Sequence, residues 1–342
     1  MLLLSVTSCR TVGFYSQALR GQWQLQSQAQ PIAQLRADSS TSKHLQDRLA
    51  RVDEIRAFAT SQLGLASEHQ YERYTDLGRK HAVWVVFAAP EFSTQPHTWR
   101  YPLLGKLSYR GYFSESAAQK EAERLAAQGL ETHVGGVNAY STLGWFHDPV
   151  LNTFIDYQDA DLAELLFHEL THQRIYFRGD TAFNEALATA VGEEGTRRWL
   201  EATGRETALR KYLANQKIGT EFAALLSQCR QDLAALYARK DLSADAMRQV
   251  KASRIRQLRT EAEALSRRYG HRVKVDRFFA KPVNNARLAS LTTYFRLVPA
   301  FENLLRRCGG DLELFFSHIA TQRSATPAQR RAWLRGFDLA SD

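Results

Sequence analysis

The pentapeptide HELTH at residues 168–172 constrains this chain more than any other stretch. It lies inside a run of apolar residues with helical periodicity, residues 161–177. Residues four apart lie on one face of a helix, so both imidazoles can bind the same metal ion. Glu169, next to the first histidine, is then placed to reach a metal-bound water. This pattern is typical of zinc hydrolases in which the glutamate is the general base.

The alternative is an amphipathic helix that happens to carry two histidines. A chance match to the pattern is expected in on the order of a few per cent of chains this long. The residues after the motif therefore help to decide between the two. The helix is predicted to end near residues 178–180, because glycine at 179 supplies a left-handed C-cap, and a second helix is predicted from about Ala182 to Trp199.

A third ligand is predicted from the lengths of these two helices. A short loop implies an antiparallel pair, so distances from Gly179 can be counted along both arms. The midpoint of His168 and His172 lies roughly 13 Å before that turn, and Glu185 lies roughly 9 Å after it, at about 1.5 Å per residue. Glu185 is therefore the expected third ligand, which leaves the fourth position open for water. Glu193 lies about two turns further from the loop, and Glu194 points to the other side of the helix.

The pattern His168-Glu169-x-x-His172 followed by Asn184-Glu185-x-x-Ala188-x-x-x-Gly192 resembles the gluzincin metallopeptidases. More narrowly, the chain is similar to a bacterial aminopeptidase family whose members are often predicted lipoproteins. One departure is the spacing, because twelve residues separate the second histidine from the third ligand, fewer than in thermolysin-like enzymes. Three other stretches share this resemblance: residues 14–18 with 21–22, residues 140–145, and residues 284–288.

The resemblance implies an α+β, mainly helical, zincin-like fold and hydrolysis of peptide bonds at one Zn2+ ion. Glu169 would take a proton from a metal-activated water and pass it to the leaving amine. Whether the enzyme removes N-terminal residues rests on the resemblance alone, and endopeptidase activity stays open. Gluzincins also supply an oxyanion-stabilising residue, for which the candidates are Tyr294, Arg287, Tyr140 and His147. The candidates for orienting the metal ligands are Asp161, Glu164 and Asn184.

The domain organisation is predicted from patterns along the chain: residues 1–13 a signal remnant, 14–158 helices with a small mixed sheet, and 159–342 a helical metallopeptidase part. Within the first part, residues 14–65 are predicted helical with breaks at Pro31 and at 38–42. Residues 83–88, 103–113 and 132–137 are predicted strands, with a helix at 114–128 between the last two. Residues 135–145 are a candidate sheet edge that would hold the peptide by strand addition, with a plain connecting loop as the alternative. A long helical hairpin is predicted over about 206–275, with a bend at 241–243, and Pro299 is predicted to kink or end the helix that begins near residue 284.

Membrane attachment is predicted from the first nine residues, a short apolar stretch that ends in small residues and Cys9. This stretch resembles the end of a bacterial lipoprotein signal, in which the cysteine is lipidated. The expected location is therefore the periplasmic side of a bacterial envelope, held by a lipid anchor; a cytoplasmic protein with an apolar N-terminus is the alternative. No run of eighteen apolar residues is present. Cys229 and Cys308 are expected to be either buried thiols or one disulfide.

The charge distribution suggests two rival functions. Residues 230–278 contain thirteen Lys or Arg against six Asp or Glu, in a chain of net charge +9. No aromatic interleaving accompanies this surplus, so a solvated basic hairpin is expected and no nucleic-acid partner. The rivals are a membrane-tethered, zinc-containing binding or assembly protein without turnover, and a basic helical lipid or nucleic-acid binder with a structural metal.

Overall fold

In a computed structural model, the chain is described over residues 3–67, 69–101, 105–139, 147–295 and 297–337, with side chains outside 3–12 and 292–295. The described part is mainly helical, with a few short strands. In chain order the elements are α1 (Leu3–Ser27), β1 (Gln30–Pro31), α2 (Ile32–Ala37), α3 (Lys43–Leu63), β2 (Arg73–Thr75), β3 (Val83–Pro90), β4 (Trp99–Tyr101), β5 (Gly105–Leu107), β6 (Arg110–Tyr112), α4 (Glu115–Ala126), β7 (Leu130–Val137), β8 (Val150–Leu151), α5 (Asp159–Arg174), α6 (Thr181–Ala202), α7 (Glu206–Ala238), α8 (Ala244–Arg268), α9 (Val275–Phe279), α10 (Asn285–Phe295), α11 (Val298–Arg307), α12 (Leu312–Ala320) and α13 (Pro327–Arg335).

The predicted class, α+β and mainly helical, is confirmed. The main sheet has the order β6-β3-β7 and is antiparallel throughout. Its long pair runs in register from Val83 opposite Val137 to Pro90 opposite Leu130. Two smaller sheets, β1-β2-β8 and β4-β5, complete the strands of the described residues. Within that part of the chain, β7 is therefore an edge strand. It contains residues 135–137 of the candidate edge 135–145, of which residues 140–145 lie outside the described residues.

Most predicted elements are confirmed, and three differ from the prediction, of which the end of α5 is described with the candidate metal centre. The single strand expected over 103–113 is two strands in different sheets, since β5 pairs with β4 whereas β6 pairs with β3. Gly105, with φ near +81°, opens the first of them. Pro299 neither kinks nor ends α10. It occupies the first turn of α11, where a missing N–H costs nothing.

The helices that carry the HELTH motif and Glu185 lie in the centre of the largest hydrophobic core. This core packs α5 and α6 against α3, α11 and α12. Fully burying one large apolar side chain contributes about 1.5–3 kcal/mol, so both helices are held firmly in place. The largest fully buried side chains are Trp199, Phe154, Phe167, Phe183, Phe301 and Phe315.

Helix α1 is fixed against one end of the main sheet. The backbone N–H of Phe113 donates to the Oε1 of Gln17 at 3.0 Å. A Cβ at Gly21 would lie 2.1 Å from the Phe113 ring, so only glycine permits this close approach. Thr75 donates to the carbonyl of Leu25 at 2.9 Å. The stretch 14–22, singled out in the sequence, therefore holds α1 beside the sheet.

The 284–288 stretch joins the helical part of the chain to the sheet. Asn285 donates to the carbonyl of Glu91 at 2.8 Å, and its own N–H donates to Glu131 at 2.8 Å. Lys251, which is buried, donates to the same Glu91 carbonyl at 2.9 Å and pairs with Glu131 at 2.5 Å. These contacts give the stretch a structural role.

The predicted helical hairpin is present as α7–α8, and apolar residues of both helices pack into one cluster. It begins at Glu206, and the bend falls between Ala238 and Ala244. The ion pairs of the hairpin include Arg248–Glu91, Arg254–Asp232, Arg259–Glu263 and Arg268–Glu221.

The cysteines with described side chains are not bonded to each other. Cys229 in α7 and Cys308 after α11 are free, buried thiols. None of the described helices combines the length and the apolar character that a membrane span requires.

Candidate metal centre

The three predicted ligands meet where α5 packs against α6. The Oε2 atom of Glu185 lies 3.3 Å from the Nε2 of His168 and 3.7 Å from the Nε2 of His172. One donor atom from each residue lies within 4.8 Å of the others. His172 is only 6% exposed, and the other two side chains are largely buried. The structure thus brings together two imidazoles and one carboxylate from adjacent helices.

Two glycines in α6 allow the helices to approach this closely. A Cβ added to Gly192 would lie 3.0 Å from the backbone oxygen of Glu164 and 3.4 Å from His168. A Cβ at Gly195 would lie 2.8 Å from the ring of Phe167. Real Cβ contacts this short would force the helices apart. The glycine in the Asn184 to Gly192 pattern therefore positions α6 at the level of the first histidine.

The turn between the helices differs from the prediction. Helix α5 ends at Arg174 and not near Gly179, because Ile175 is extended with φ −151° and ψ 130°. The side chain of Asn184 then fixes the loop, accepting from the N–H of Phe177 and donating to its carbonyl, both at 2.8 Å. Asn184 therefore orders the turn, and neither of these hydrogen bonds is to a predicted metal ligand.

The local electrostatics favour an ionised carboxylate at Glu185. Burial alone would raise the pKa of this carboxyl, but hydrogen bonds and charge from His168 and His172 outweigh it and hold the pKa well below its usual range. Burial would likewise lower the pKa of His168, and the nearby carboxylates of Glu185, Glu169 and Glu164 raise it instead. The cluster is therefore a negatively charged oxygen facing two nitrogen donors.

This donor set fits a catalytic zinc ion. Two histidines and one carboxylate, with a further position open, form a common catalytic zinc site. At Zn–ligand distances of about 2.0–2.1 Å, two ligands at a tetrahedral angle lie ~3.3 Å apart. The separation of 3.3 Å between Glu185 and His168 matches this value, and the separation of 3.7 Å between Glu185 and His172 is somewhat longer.

Glu169 lines a groove together with His172 and Glu185, two of the three predicted ligands. A second residue at this carboxylate, Tyr71, was not predicted. It is 3% exposed, and burial followed by the negative charges of Glu169 and Asp148 raises its pKa well above the usual value. Its φ of +56° is strained for a residue with a side chain. Arg56 fixes the preceding residue by donating to its carbonyl at 2.7 Å. No local sequence pattern points from Tyr71 to a motif about a hundred residues later.

Tyr176 is a further groove residue that sequence reasoning missed. Its ring lies 6.2 Å from that of His172. Burial first, and then the charge of Glu185, raises its pKa. Its four-residue spacing from His172 was a sequence signal, although Tyr176 lies in the loop after α5 and not on the helix face itself.

The proposed oxyanion donors receive no support from their positions. Arg287 donates to the carbonyls of Lys281 and Phe278, both at 2.6 Å, and does not line the groove. His147 is exposed, and its ring stacks on that of His69 with centroids 5.0 Å apart. The side chains of Tyr294 and Cys9 lie outside the described residues, as does the whole 140–145 stretch with Tyr140.

A second acidic cluster lies behind His168. Glu164, one turn earlier in α5, accepts from the hydroxyl of Tyr212 at 2.9 Å and from Gln216 at 3.1 Å. Burial raises the pKa of Glu164, and these two hydrogen bonds together with the charge of His168 oppose the rise. Asp161, also considered for this role, is exposed. Of the three residues predicted to orient the metal ligands, Glu164 is the one whose carboxyl interacts electrostatically with a predicted ligand, His168.

Glu193 in this cluster gives a pH-dependent prediction. Burial, and then the charges of Glu164 and Glu302, raise the pKa of Glu193 to about 8. The folded protein therefore binds this proton more tightly than the unfolded chain, so the stability it contributes is complete below about pH 4.5 and is lost as the pH rises through 8. We expect Glu193→Gln to stabilise the protein at pH 9 by roughly 1–3 kcal/mol, given about 1.4 kcal/mol per unit of pKa shift, and to have little effect at pH 5. Urea unfolding of both proteins at the two pH values measures this, and an equal difference at both would contradict it.

Comparison with known proteins gives one match. A sequence model of the family described as "Putative aminopeptidase" matches residues 13–334. No curated protein and no solved structure matches the chain. The matched range includes α5, α6 and the sheet beside them, so it covers the whole of the candidate site.

Proposed function

The chain belongs to the family described as "Putative aminopeptidase", and from this premise we propose that it is a zinc-dependent peptidase of the gluzincin type. One observation carries the proposal: the donor atoms of His168, His172 and Glu185 lie within 4.8 Å of one another across two helices. The side chain of Glu169 lies in the groove that opens beside them. A purely structural metal site would need neither an open position nor a base.

The three ligands would hold one zinc ion. When bound, zinc would lower the pKa of a water molecule toward about 7 and polarise the carbonyl of the scissile bond. Glu169 is not among the convergent donors, so its carboxylate is free to act as general base. It accepts the proton from the attacking water and then donates it to the leaving amine. Neutral Tyr71 beside it does not compete for that proton, because its own pKa is raised.

The substrate in this proposal is an extended peptide that adds to the edge strand β7. Two facts support it. In the described sheet, β7 pairs with β3 on one side only. Asn284 donates to the carbonyl of Thr132 at 3.0 Å and so covers the far end of the edge, whereas Val137 and Ala139 at the other end line the groove. Backbone hydrogen bonds of this kind hold a peptide whatever its sequence.

Two finer expectations stay as proposals. Removal of N-terminal residues follows the family description, and cleavage within the chain is the alternative. Attachment to the envelope through Cys9 rests on the sequence; α1 adds that Tyr15, Leu19 and Trp23, four residues apart, are exposed on one face. Apolar side chains at that spacing suit a helix that lies on a surface.

Removal of the metal tests the proposed function. We expect the purified protein to cleave members of a mixed peptide library, to lose this activity when treated with a strong chelator, and to regain it with one equivalent of Zn2+. Mass spectrometry of the library identifies the bonds that are cut and distinguishes exopeptidase from endopeptidase action. A protein that binds zinc but cuts no peptide would instead favour the binding or assembly protein, and cleavage unaffected by chelation would contradict the zinc mechanism.

A further inference from the structure

The centre of the main sheet carries a row with almost no side chains. Val85 of β3 pairs with Gly111 of β6 on one side and with Gly135 of β7 on the other. Directly paired residues in antiparallel strands point to the same face. A Cβ at Gly111 would meet nothing within 4 Å, and one at Gly135 would meet only the His133 ring, at 3.7 Å. The row Gly111-Val85-Gly135 is therefore a dent across this face.

Taller side chains stand on both sides of the dent. Val83 pairs with Val137 in the row before it, and Phe87 pairs with His133 in the row after it. The ring of Phe87 lies 5.9 Å from that of Tyr109. The dent is thus the floor of a trough between a wall of two valines and a wall that contains Phe87 and His133.

Six residues of this trough line the groove that contains Glu169 and Glu185: Val83, Val85, Phe87, Tyr109, Gly111 and Val137. They form the apolar end of that groove. The groove has a volume of about 320 Å³. In the described part of the chain, the only Asp, Glu, His, Lys or Arg side chains that line it are Glu169, His172 and Glu185, at the catalytic end. The other lining residues of the described chain are apolar, small or tyrosine.

The floor of the groove is not part of a packed core. Val83 and Val85 are only 4% and 6% exposed, yet neither belongs to any of the three hydrophobic clusters of the described residues. Val86 and Ala88, on the opposite face of the same strand, pack against the residues of α4. One face of β3 thus stabilises the fold, and the other borders the groove next to the candidate metal centre.

We propose that this groove binds one large apolar side chain of the peptide substrate, aromatic or leucine-like, and so sets the residue preference of the enzyme. The inference rests on the proposed function, because the groove leads directly to Glu169. A charged side chain would lose its hydration there without finding a partner, which is costly. A small side chain would leave Val85 and Gly111 on the floor of the groove uncovered. We therefore expect a preference of roughly 10- to 200-fold in kcat/KM for Phe or Leu over Gly at one position near the cut bond.

The substitution Gly111→Leu tests the groove. It places a side chain in the groove, and the added Cβ meets nothing within 4 Å. We expect cleavage of peptides with Phe at the preferred position to fall at least 10-fold relative to cleavage of matched peptides with Ala there. Gly111→Ala should give an intermediate result. The matched control is Gly219→Leu in α7, where the added Cβ also meets nothing within 4 Å but is exposed and far along the chain from the groove.

The outcomes separate this inference from the proposed function. Cleavage by the wild-type protein with no apolar preference at any position, or an unchanged preference in Gly111→Leu, overturns the inference and leaves the peptidase intact. If no peptide is cut, the peptidase proposal fails, and peptide binding then tests the groove. The wild-type protein should bind a fluorescent peptide that contains Phe at least 10-fold more tightly than the same peptide with Asp in place of Phe. Gly111→Leu should abolish that difference. Equal binding of the two peptides overturns the inference.

Discussion

Glu169→Gln should lower kcat/KM for peptide cleavage by about 10²–10⁴-fold and leave one metal ion bound per chain. The amide has the same shape as the carboxylate but cannot accept a proton from the attacking water. The metal should stay because Glu169 lines the groove and is not one of the three convergent donors. Initial rates on one good substrate, together with elemental analysis of the same protein, measure both quantities.

The matched control for this change is Glu206→Gln at the start of α7, where the glutamate side chain is 82% exposed. It makes the same chemical change far along the chain from the site and should leave the rate unaltered. Full activity in Glu169→Gln would remove the general base from the mechanism. Loss of the metal from Glu169→Gln would place this carboxylate among the ligands instead.

Glu185→Gln should weaken metal binding by about 100-fold or more and abolish activity as a consequence. Groups that only support a metal ligand already contribute 10- to 100-fold to affinity, and a direct ligand should contribute at least that much. The substitution removes the negative charge that faces His168 at 3.3 Å and His172 at 3.7 Å. Competition with a fluorescent zinc chelator measures the affinity.

Glu193→Gln, on the same helix two turns further on, is the control for the third ligand. Its carboxyl faces Glu164 and Glu302, and it is not among the convergent donors. We expect this variant to bind metal as the wild type does. A result in which Glu193→Gln loses the metal while Glu185→Gln keeps it would reverse the assignment of the third ligand.

The arrangement of the three ligands was within reach of the sequence, because helix geometry is regular. The four-residue spacing of the histidines and a count of residues from the turn were sufficient to select Glu185 over Glu193. The count still placed Glu185 beside the histidines, although the predicted end of the first helix was wrong. Although α5 ends at Arg174, the Asn184 side chain binds Phe177 and keeps the connection short. The level at which the helices meet therefore changed little.

The groove and Tyr71 were not within reach, because they depend on contacts between residues far apart in the chain. The dent exists only because the register of the sheet places Gly111 and Gly135 on either side of Val85. Hydrophobic periodicity cannot supply such a register across three strands. Tyr71 lies within the electrostatic influence of Glu169 and has a strained backbone conformation, which no local propensity favours. Arg287 shows the converse, since a residue that resembled a catalytic donor instead binds backbone carbonyls.

The most direct test of a metal held between α5 and α6 is an anomalous difference map from a crystal of the zinc-loaded protein, recorded at the zinc absorption edge. We predict one strong peak per chain, about 2.0–2.2 Å from the Nε2 atoms of His168 and His172 and from a carboxylate oxygen of Glu185. A map with no peak among these three side chains, or with the zinc bound elsewhere, would contradict the proposed site and the mechanism that depends on it.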